Sequence, residues 1–198
     1  MARYLLCMTG ASGAVYGTRL LAALASPQGP CPDAEIHLVA SAWAERVVLE
    51  ETGLSVAAHA AAAGKGRVEI HDPADLASSL SSGSFRLSGT IVAPCSTGTA
   101  GALAAGISAN LVQRAGAVAL KEGWPLVIVP RETPLSLPTL RALVALKEGG
   151  ATILPACPGF YARPASVDEL VDQVVSRILD SLGLSMPGAK RWERGEEE

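Results

Sequence analysis

Short apolar runs alternate along the chain with longer segments in which apolar residues recur at helical spacing. Most runs carry little charge and end in a turn that contains glycine, proline or hydroxyl residues. Such runs predict buried strands, over residues 3–9, 35–40, 67–70, 90–93, 126–129 and 151–154. Helices are predicted over residues 14–24, 42–51, 73–80, 99–105, 109–121, 138–147 and 167–182. The Ala- and Gly-rich stretch 57–66 is compatible with a surface loop or with a frayed helix.

Strands that alternate with helices and are themselves almost wholly apolar indicate a parallel sheet covered on both faces. We therefore predict an α/β fold, a doubly wound parallel sheet that forms one domain over residues 1–182. It is followed by a tail over residues 183–198 that we expect to contribute to the site or to a subunit interface. In such a sheet, ligands bind beyond the carboxyl ends of the strands, where the strand order reverses. The turns that follow the strands are therefore the places where we expect chemistry.

The chain has more apolar residues than one soluble domain needs. Counting Gly and omitting Tyr, about 58% of the 198 residues are apolar, against about 45–50% in typical domains; the mean hydropathy is +0.31. The longest uncharged run, residues 87–113, contains Pro94, Asn110 and several Gly, Ser and Thr residues, which disfavours a bilayer helix. The N-terminus lacks the layout of a signal peptide. We therefore expect a cytoplasmic protein that buries its surplus apolar surface by homo-oligomerisation.

Charge and cysteine spacing exclude two further classes of function. A net charge of −3 and the absence of a Lys/Arg stripe argue against nucleic-acid binding, because no basic surface is available to displace counterions from a phosphate backbone. The cysteines Cys7, Cys31, Cys95 and Cys157 are far apart in sequence, with no C-x-x-C and no nearby pair of histidines. We expect neither zinc nor a disulfide, and we expect most of the thiols to act as small buried hydrophobic groups.

The first predicted turn carries Gly10, Ala11, Ser12 and Gly13 ahead of a helix. Small residues let backbone N–H groups approach an anion, and a helix N-terminus adds positive dipole charge, so a phosphate or the edge of a flavin ring suits this turn. The spacing departs from the dinucleotide fingerprint, and Ser41 stands where a ribose-binding carboxylate is expected. The turn therefore favours a mononucleotide over NAD; the alternative is a glycine turn that only packs tightly.

The turn after the predicted strand 90–93 presents Ser96, Thr97, Gly98 and Thr99 before the next helix. Hydroxyl groups and free backbone N–H groups at a helix N-terminus form a second cradle for an anion or an amide. Ser and Thr are also the preferred N-cap residues, so this turn alone is a weak signal. Two such turns on one edge of a sheet are a stronger one.

The turn after the predicted strand 126–129 places Arg131 beside Glu132, between two prolines. A guanidinium at a strand end can hold a phosphate through two hydrogen bonds, and a neighbouring carboxylate can exchange protons with that phosphate. The alternative is a surface ion pair of little energetic value. Because the prolines restrict the backbone on both sides, we interpret the pair as functional.

Five more polar residues are candidates on weaker grounds. Arg114 and Lys121 are seven residues apart, so they share one face of a predicted helix, where either can equally be a solvated charge. Tyr161 follows the last predicted strand. Arg177 falls within an apolar helix face, which predicts an anionic partner for it. Glu51 ends the second helix and can relay protons if it faces inward.

Taken together, these turns resemble the flavin prenyltransferase family of the UbiX type, formerly named aromatic-acid or polyprenyl-hydroxybenzoate decarboxylases. The resemblance covers almost the whole chain, and the order of its motifs makes it specific. The motifs that carry it are residues 9–14, 16–17, 94–99, 110–115, 119–122, 130–135, 158–161, 177–180 and 191–192.

The resemblance implies a flavodoxin-like homo-oligomer, usually a dodecamer, that binds reduced FMN. It implies transfer of a dimethylallyl group from dimethylallyl phosphate to N5 and C6 of the flavin ring, with no metal. It also implies that the product, prenylated FMN, is handed to a partner decarboxylase of the UbiD type.

The matching motif positions imply a role for each candidate residue. The residues expected to contact FMN are Gly10, Ala11, Ser12, Ser41, Ser96, Thr97, Gly98, Thr99 and Arg131. Those expected around the allylic phosphate are Lys121, Arg131, Glu132, Tyr161 and Arg177, with Arg114 contributing across a subunit boundary. Trp192 or Tyr161 is expected to stack on the allyl group, and Glu132 to relay a proton through the released phosphate. Ser12 and Glu51 are expected to position or deprotonate N5.

Two rival interpretations remain. A flavin-dependent cysteine decarboxylase of the same fold needs a catalytic histidine, for which His71 is the best candidate, but the Asn-containing turn and Met-Asn clamp of that family are missing. A non-enzymatic FMN carrier needs the FMN-binding turns but has no use for Lys121, Glu132 and Arg177. The joint presence of these three residues favours the prenyltransferase.

Overall fold

The structure is a computed structural model that describes residues 1–64 and 66–189. Its centre is a six-stranded sheet in which every neighbouring pair of strands is parallel. The strands are β1 (Arg3–Met8), β2 (Glu35–Ala40), β3 (Val68–His71), β4 (Gly89–Cys95), β5 (Leu126–Pro130) and β6 (Thr152–Ile153). Their spatial order is β3-β2-β1-β4-β5-β6, so the order reverses between β1 and β4.

Seven α-helices in the described part of the chain cover the two faces of the sheet. They are α1 (Ala14–Ala25), α2 (Ala42–Thr52), α3 (Val56–Ala63), α4 (Thr97–Ala104), α5 (Leu111–Glu122), α6 (Leu137–Glu148) and α7 (Val167–Asp180). Alternate residues of each strand point to opposite faces. The face with Tyr4, Leu6 and Met8 packs mainly on α1 and α7, and the face with Leu5 and Cys7 packs on α4, α5 and α6.

This architecture confirms the predicted class, a doubly wound, flavodoxin-like parallel α/β sheet. The strand order is also common among dinucleotide-binding sheets, in which a carboxylate at the end of the second strand holds a ribose. Ser41 follows β2 at that place, and its hydroxyl accepts the N–H of Ala44 as the N-cap of α2. The fold alone therefore does not indicate a dinucleotide.

The sequence prediction was wrong over residues 73–80, where it expected an α-helix. The structure has turns there and a short 3₁₀ helix, Ser79–Ser81. The Asp72 carboxylate accepts the N–H of Ala74, and the Asp75 carboxylate accepts that of Ala77. These local bonds offer the backbone an alternative to a helix too short to be stable by itself. In contrast, the open question over residues 57–66 is resolved: α3 is a helix, with Ser55 as its N-cap.

The apolar surplus lies partly in the core and partly on the surface. The uncharged run 87–113 contains β4, α4 and the start of α5. Among the described residues, no helix has both the length and the apolar character that a membrane crossing requires. Cys7, Cys31 and Cys95 are buried free thiols, and burial raises the pKa of the Cys95 thiol to about 12. Cys157 is exposed, so the expectation of a buried hydrophobic role does not extend to it.

Candidate active site at the sheet reversal

The turns after β1 and β4 are joined by hydrogen bonds at the point where the strand order reverses. Thr9 is buried, and its hydroxyl donates to the carbonyl of Pro94 at 2.8 Å. The same hydroxyl oxygen accepts the N–H of Ser96 at 2.7 Å. One side chain thus fixes two candidate turns side by side. Thr9 is the first residue of the first motif, and no role was predicted for it, although a Thr at a strand end is the signal that could have identified it.

The first turn already holds an anion supplied by the protein itself. Gly13 adopts a positive φ of 98°, and its N–H and that of Ala14 donate to the Glu51 carboxylate, at 3.0 and 2.8 Å from Oε2. Glu51 therefore caps the N-terminus of α1, which has no other side-chain cap among the described residues. The expectation of an anion cradle for a ligand phosphate at this turn is corrected, since the acceptor is Glu51. On the same turn, Gly10 and Ser12 are exposed, and Ala11 is buried.

The second turn remains open. Ser96 accepts the N–H of Thr99 and donates to its hydroxyl, so it caps α4 in the usual way. The N–H groups of Thr97 and Gly98 lie at the first two helical positions, which have no acceptor within the helix. A Cβ added at Gly98 meets no heavy atom within 4 Å, and Gly98 itself is exposed. The start of α4 is therefore the better cradle for a phosphate.

Gly10 is exposed, and a Cβ there would lie 2.5 Å from the Cβ of Trp43. The close approach explains why this position is a glycine. Trp43 is the second residue of α2, two positions after Ser41, and it is 68% exposed. The sequence pattern carries no signal that marks Trp43 as a site residue. The turn after β1 and the start of α2 therefore present glycine backbone and an indole at the same edge.

The turn after β5 is tied to the turn after β1. The Nε–H of Arg131 donates to the carbonyl of Ser12 at 2.8 Å, and its side chain is partly buried. Because β4 lies between the two strands, this bond spans the sheet reversal. The neighbouring Glu132 is exposed, and its carboxylate accepts the N–H of Thr133 at 3.0 Å. Arg131 and Glu132 therefore do not form the surface ion pair that was the alternative interpretation.

The loop after β6 continues the same edge. The N–H of Ala156 donates to the carbonyl of Pro130, which brings this loop beside Arg131. Burial raises the pKa of Tyr16, the nearby Cys157 raises it further, and Arg131 lowers it. The Tyr16 phenol, the Cys157 thiol and the Arg131 guanidinium are therefore close to one another. A positive charge, hydroxyl groups and open backbone therefore line this edge of the sheet.

Tyr161 and Arg177 meet in a cleft beyond that loop. Both residues line two adjoining cavities of about 430 and about 590 Å³ between the loop and α7. The expectation that Arg177 is embedded in an apolar helix face is wrong, because its side chain is 68% exposed, but the expected anionic partner is present. Its Nη1 lies 3.5 Å from Asp180 Oδ2, one turn along α7. The guanidinium is thus available to a ligand in the cleft.

Arg114 and Lys121 lie away from these turns within the chain. Both face the segment 81–84, as their shared helix face predicts: Arg114 donates to the carbonyl of Ser81, and Lys121 pairs with Glu122 next to Gly83. Since α5 ends at Glu122 and β5 starts at Leu126, Lys121 is at the amino end of the sheet. The expectation that Lys121 surrounds the phosphate is therefore not met within one chain.

The tail contributes to the cleft as far as it is described. Leu184 and Met186 pack on the core, and Met186 to Ala189 line the cavity that also contains Tyr161. The described part of the tail, residues 183–189, therefore packs on the domain and lines this cavity. Trp192, expected to stack on the allyl group, lies outside the described residues.

Comparison with known proteins identifies the family of this chain. The family model described as Flavoprotein matches residues 1–179. The flavin prenyltransferase UbiX of Deinococcus radiodurans is 41% identical over 194 residues, which cover 98% of this chain and 95% of that protein.

Two solved structures resemble the whole chain. A dodecameric FMN-dependent UbiX-like decarboxylase from Escherichia coli O157:H7 has a TM-score of 0.89 and 44% identity, covering 97% of this chain and 100% of that one. AnUbiX (PadA1), in complex with FMN and dimethylallyl pyrophosphate, has a TM-score of 0.90 and 39% identity, covering 98% and 99%. Sequence identity of about 40% over nearly complete chains shows to which family this chain belongs. The protein belongs to the UbiX family of flavin prenyltransferases.

Proposed function

We propose that this protein transfers a dimethylallyl group from an allylic phosphate ester to N5 and C6 of reduced FMN. The observation that carries the proposal is the continuous edge from the open start of α4, past Arg131, to the cleft of Tyr161 and Arg177. A relative with 39% identity and a TM-score of 0.90 binds FMN and dimethylallyl pyrophosphate. This edge offers one cradle suited to the phosphate of FMN and separate cations for the phosphate of the donor.

The residues at the sheet reversal fit a flavin mononucleotide. The N–H groups of Thr97 and Gly98, with the hydroxyls of Ser96 and Thr99, suit its phosphate. The sequence also assigns Gly10, Ala11, Ser12 and Ser41 to FMN. Gly10 and Ser12 are exposed on the turn after β1 and suit the approach of a flat ring, whereas Ser41 is half-buried and Ala11 is buried. When bound in reduced form, FMN supplies the nucleophilic atoms of the reaction.

Arg131 and Arg177, with Tyr161, act on the donor. Breaking the allylic C–O bond separates a delocalised carbocation from a phosphate anion, so cations placed at the leaving group stabilise the transition state. The two guanidinium groups can hold a phosphate through paired hydrogen bonds. The Tyr161 ring, or that of Trp192, offers an aromatic face to the cationic allyl group.

Glu132 is the proposed proton acceptor. Its carboxylate is exposed beside Arg131, and it accepts only the short-range N–H of Thr133 among the bonds described. Closing the new ring at C6 releases a proton, and Glu132 takes it by way of the departing phosphate. Ser12 and Glu51 position the N5 region. Glu51 acts through the backbone of Gly13 and Ala14, so we assign it a positioning role.

Lys121 and Arg114 act in the site of a second copy of the chain. Lys121 is exposed at the amino end of the sheet, where the site of its own chain is out of reach. Helix α6 carries exposed Leu137, Leu140 and Val144 at helical spacing, an apolar stripe that an oligomer interface would bury. A relative with 44% identity is dodecameric. We therefore propose a homo-oligomer, a dodecamer, with each site completed across a subunit boundary, working in the cytoplasm.

The product, prenylated FMN, is proposed to serve a UbiD-type decarboxylase. The alternative of a cysteine decarboxylase lacks its histidine. His59 lies on α3 against Thr52, and His71 ends β3, two strands away from β1. A protein that only carries FMN does not require the exposed cations of the cleft. Prenyl transfer, in contrast, gives a role to each of Arg131, Glu132 and Arg177.

The decisive experiment incubates the purified protein with reduced FMN and either dimethylallyl phosphate or dimethylallyl pyrophosphate without oxygen, and then measures the mass of the released flavin. We expect the flavin to gain one isoprene unit with at least one of the donors. Flavin that binds but keeps its mass with both donors would support the carrier instead. A protein that does not bind FMN would overturn the proposal as a whole.

A further inference from the structure

The edge of the sheet opposite β6 contains a cluster of two histidines and a carboxylate that the prenyl transfer does not use. Strand β3 pairs in parallel with β2, with His37 opposite Glu69 and Val39 opposite His71. Because alternate residues share a face, the side chains of His37, Glu69 and His71 all point to the same side of the sheet. Sequence spacing hides this pair of histidines, which are 34 residues apart.

The three side chains converge on one point. His37 Nδ1 lies 3.0 Å from His71 Nε2 and 3.4 Å from Glu69 Oε2, and His71 Nε2 lies 3.7 Å from Glu69 Oε1. Donor atoms at about 2.0–2.1 Å from a tetrahedral Zn²⁺ are separated from one another by about 3.3–3.4 Å. The two distances to Glu69 end on different carboxylate oxygens, and one ligand atom from each of the three residues lies within 4.8 Å of the other two. The cluster is therefore close to the spacing of one face of a tetrahedral coordination sphere, and a small rotation of the exposed Glu69 side chain would bring a single oxygen into that face.

A second ring of oxygen atoms stands behind the histidines. Ser78 Oγ lies 3.5 Å from His71 Nδ1, and Glu35 Oε2 lies 3.9 Å from His37 Nε2. Histidines that bind metals usually donate their other ring N–H to such a carboxylate or hydroxyl, which fixes the ring and its tautomer. The Ser78 hydroxyl is thus at the limit of hydrogen-bonding distance from His71, whereas the Glu35 carboxylate would have to move closer to accept a hydrogen bond from His37.

A plain hydrogen bond between the two histidines leaves the cluster incompletely satisfied. His37 is 4% exposed, and its Nε2 has no hydrogen-bond partner among the described residues. If Nδ1–H of His37 donates to His71, Nε2 is a buried acceptor with no donor near it, which is unfavourable. An ion on Nδ1 moves the proton to Nε2, where the Glu35 carboxylate can accept it by moving closer.

The donor set of the cluster suits a divalent ion. Neutral imidazole is the form that binds metals, and the Glu69 carboxylate reduces the charge of a divalent cation. Glu69 is exposed, so an ion can enter from solvent.

We propose that His37, Glu69 and His71 bind one Zn²⁺ ion per chain, with an open fourth position taken by water, and that the ion ties the edge strand β3 to β2. Two imidazoles and a carboxylate are typical Zn²⁺ ligands, whereas Mg²⁺ and Ca²⁺ prefer sites made of oxygen atoms. Strand β3 is four residues long and lies at an edge of the sheet. The site is structural and separate from the edge at which prenyl transfer is proposed.

The test is a titration of the tag-free, metal-stripped full chain with Co²⁺, whose visible absorption reports tetrahedral coordination, followed by displacement with Zn²⁺. The titration uses a Cys157→Ser background, because the exposed Cys157 thiol is itself a metal ligand. We expect one equivalent of Co²⁺ per chain. His71→Gln and Glu69→Gln should lose or weaken this binding by at least tenfold, and His59→Gln should keep it, since His59 contacts Thr52 away from the cluster.

Thermal unfolding provides an independent measurement. At a Zn²⁺ concentration about 100 times Kd, linkage predicts a Tm increase of roughly 5–10 °C for the parent protein and none for His71→Gln. Two results overturn the proposal: absence of a tetrahedral Co²⁺ spectrum in the parent protein, or a spectrum and a Tm increase that His71→Gln retains. Glu69 is exposed, so a folded Glu69→Gln variant keeps the test valid if His71→Gln fails to fold.

Discussion

The turns at the sheet reversal and the outer end of α5 carry the same kinds of side chain in opposite states. At the reversal, Arg131 is partly buried and bonded to the Ser12 carbonyl, and Glu51 holds the backbone of two residues. At the end of α5, Lys121 is exposed and pairs only with its neighbour Glu122 among the contacts described. The first region is organised within one chain. The second has a cation, Lys121, for which we propose a function in the site of another chain.

Energetics supports this division. An exposed ion pair such as that of Lys121 with Glu122 contributes about 0–1 kcal/mol, so exchanging it for the phosphate of a neighbouring site costs little. Arg131 is held by a bond across the sheet reversal and cannot leave it as freely. We therefore expect variants at the reversal to affect each chain by itself, and variants at Lys121 to affect the site of its neighbour.

The largest effect is expected from Glu132→Gln. Removal of a general base costs about 10²–10⁴-fold in rate, so prenylated flavin should form at least a hundredfold more slowly while FMN binding is kept. Single-turnover kinetics with reduced FMN measures the rate, and fluorescence titration measures FMN binding. Glu148→Gln, at the exposed end of α6, is the matched control and should leave both unchanged. A Glu132→Gln variant of normal rate would remove this residue from the mechanism.

The next largest effect is expected from Lys121→Ala, a variant that tests whether Lys121 acts across a subunit boundary. Lys121→Ala should lower the rate by roughly 10- to 100-fold, because one charge-assisted hydrogen bond to the leaving phosphate is lost. Co-expression of Lys121→Ala with Glu132→Gln should restore activity, since about a quarter of the sites in a random mixed oligomer take Glu132 from one chain and Lys121 from another. A mixed oligomer as inactive as its parents would show that both residues act within one chain.

The parts of the site that sequence could predict are those that follow strands directly. Gly10 to Ser12, Ser96 to Thr99 and Arg131 all end up at one edge, because the carboxyl ends of parallel strands must meet there. The exposure and location of site residues on helices were harder to predict. The apolar neighbours of Arg177 suggested a buried charge, but α7 turns that position outward, and seven-residue spacing could not show which end of the sheet Lys121 occupies.

Contacts between distant segments were beyond sequence reasoning. The turn after β1 looked like an anion cradle, and nothing in its spacing shows that Glu51, 38 residues further on, already fills it. Likewise, the meeting of His37 and His71 depends on the register between β2 and β3. Local patterns predict elements, whereas the partners of a side chain depend on how those elements pack.

A smaller effect is expected from Arg177→Ala. Its guanidinium is exposed in the cleft and bonds weakly to Asp180, so its removal should not disturb folding. The KM for the allylic phosphate should increase by roughly 10- to 100-fold with FMN affinity unchanged. Initial-rate measurements at varied donor concentration provide the value, with Arg86→Ala, exposed before β4, as the control. Equal loss of FMN and donor binding would instead place Arg177 at the flavin.

The smallest effect is expected from Glu51→Ala, which distinguishes a positioning role of Glu51 from a role in proton transfer at the turn after β1. Glu51→Ala removes the only side-chain cap of α1 among the described residues and should lower the apparent free energy of unfolding by about 1 kcal/mol. Glu50→Ala removes an exposed pair with Arg46 on the same helix and should cost no more than about 0.5 kcal/mol. Urea unfolding at one fixed chain concentration measures both.

The rate of prenyl transfer per folded chain then decides the role of Glu51. If its carboxylate only holds Gly13 and Ala14, FMN affinity falls together with stability, and the rate at saturating FMN changes less than the hundredfold expected of a lost base. Glu51→Gln should recover most of that affinity, since an amide oxygen can still accept the two N–H groups. A saturated rate that drops a hundredfold in both variants would make Glu51 the base, and its cap on α1 would be the resting state of a group that moves to N5.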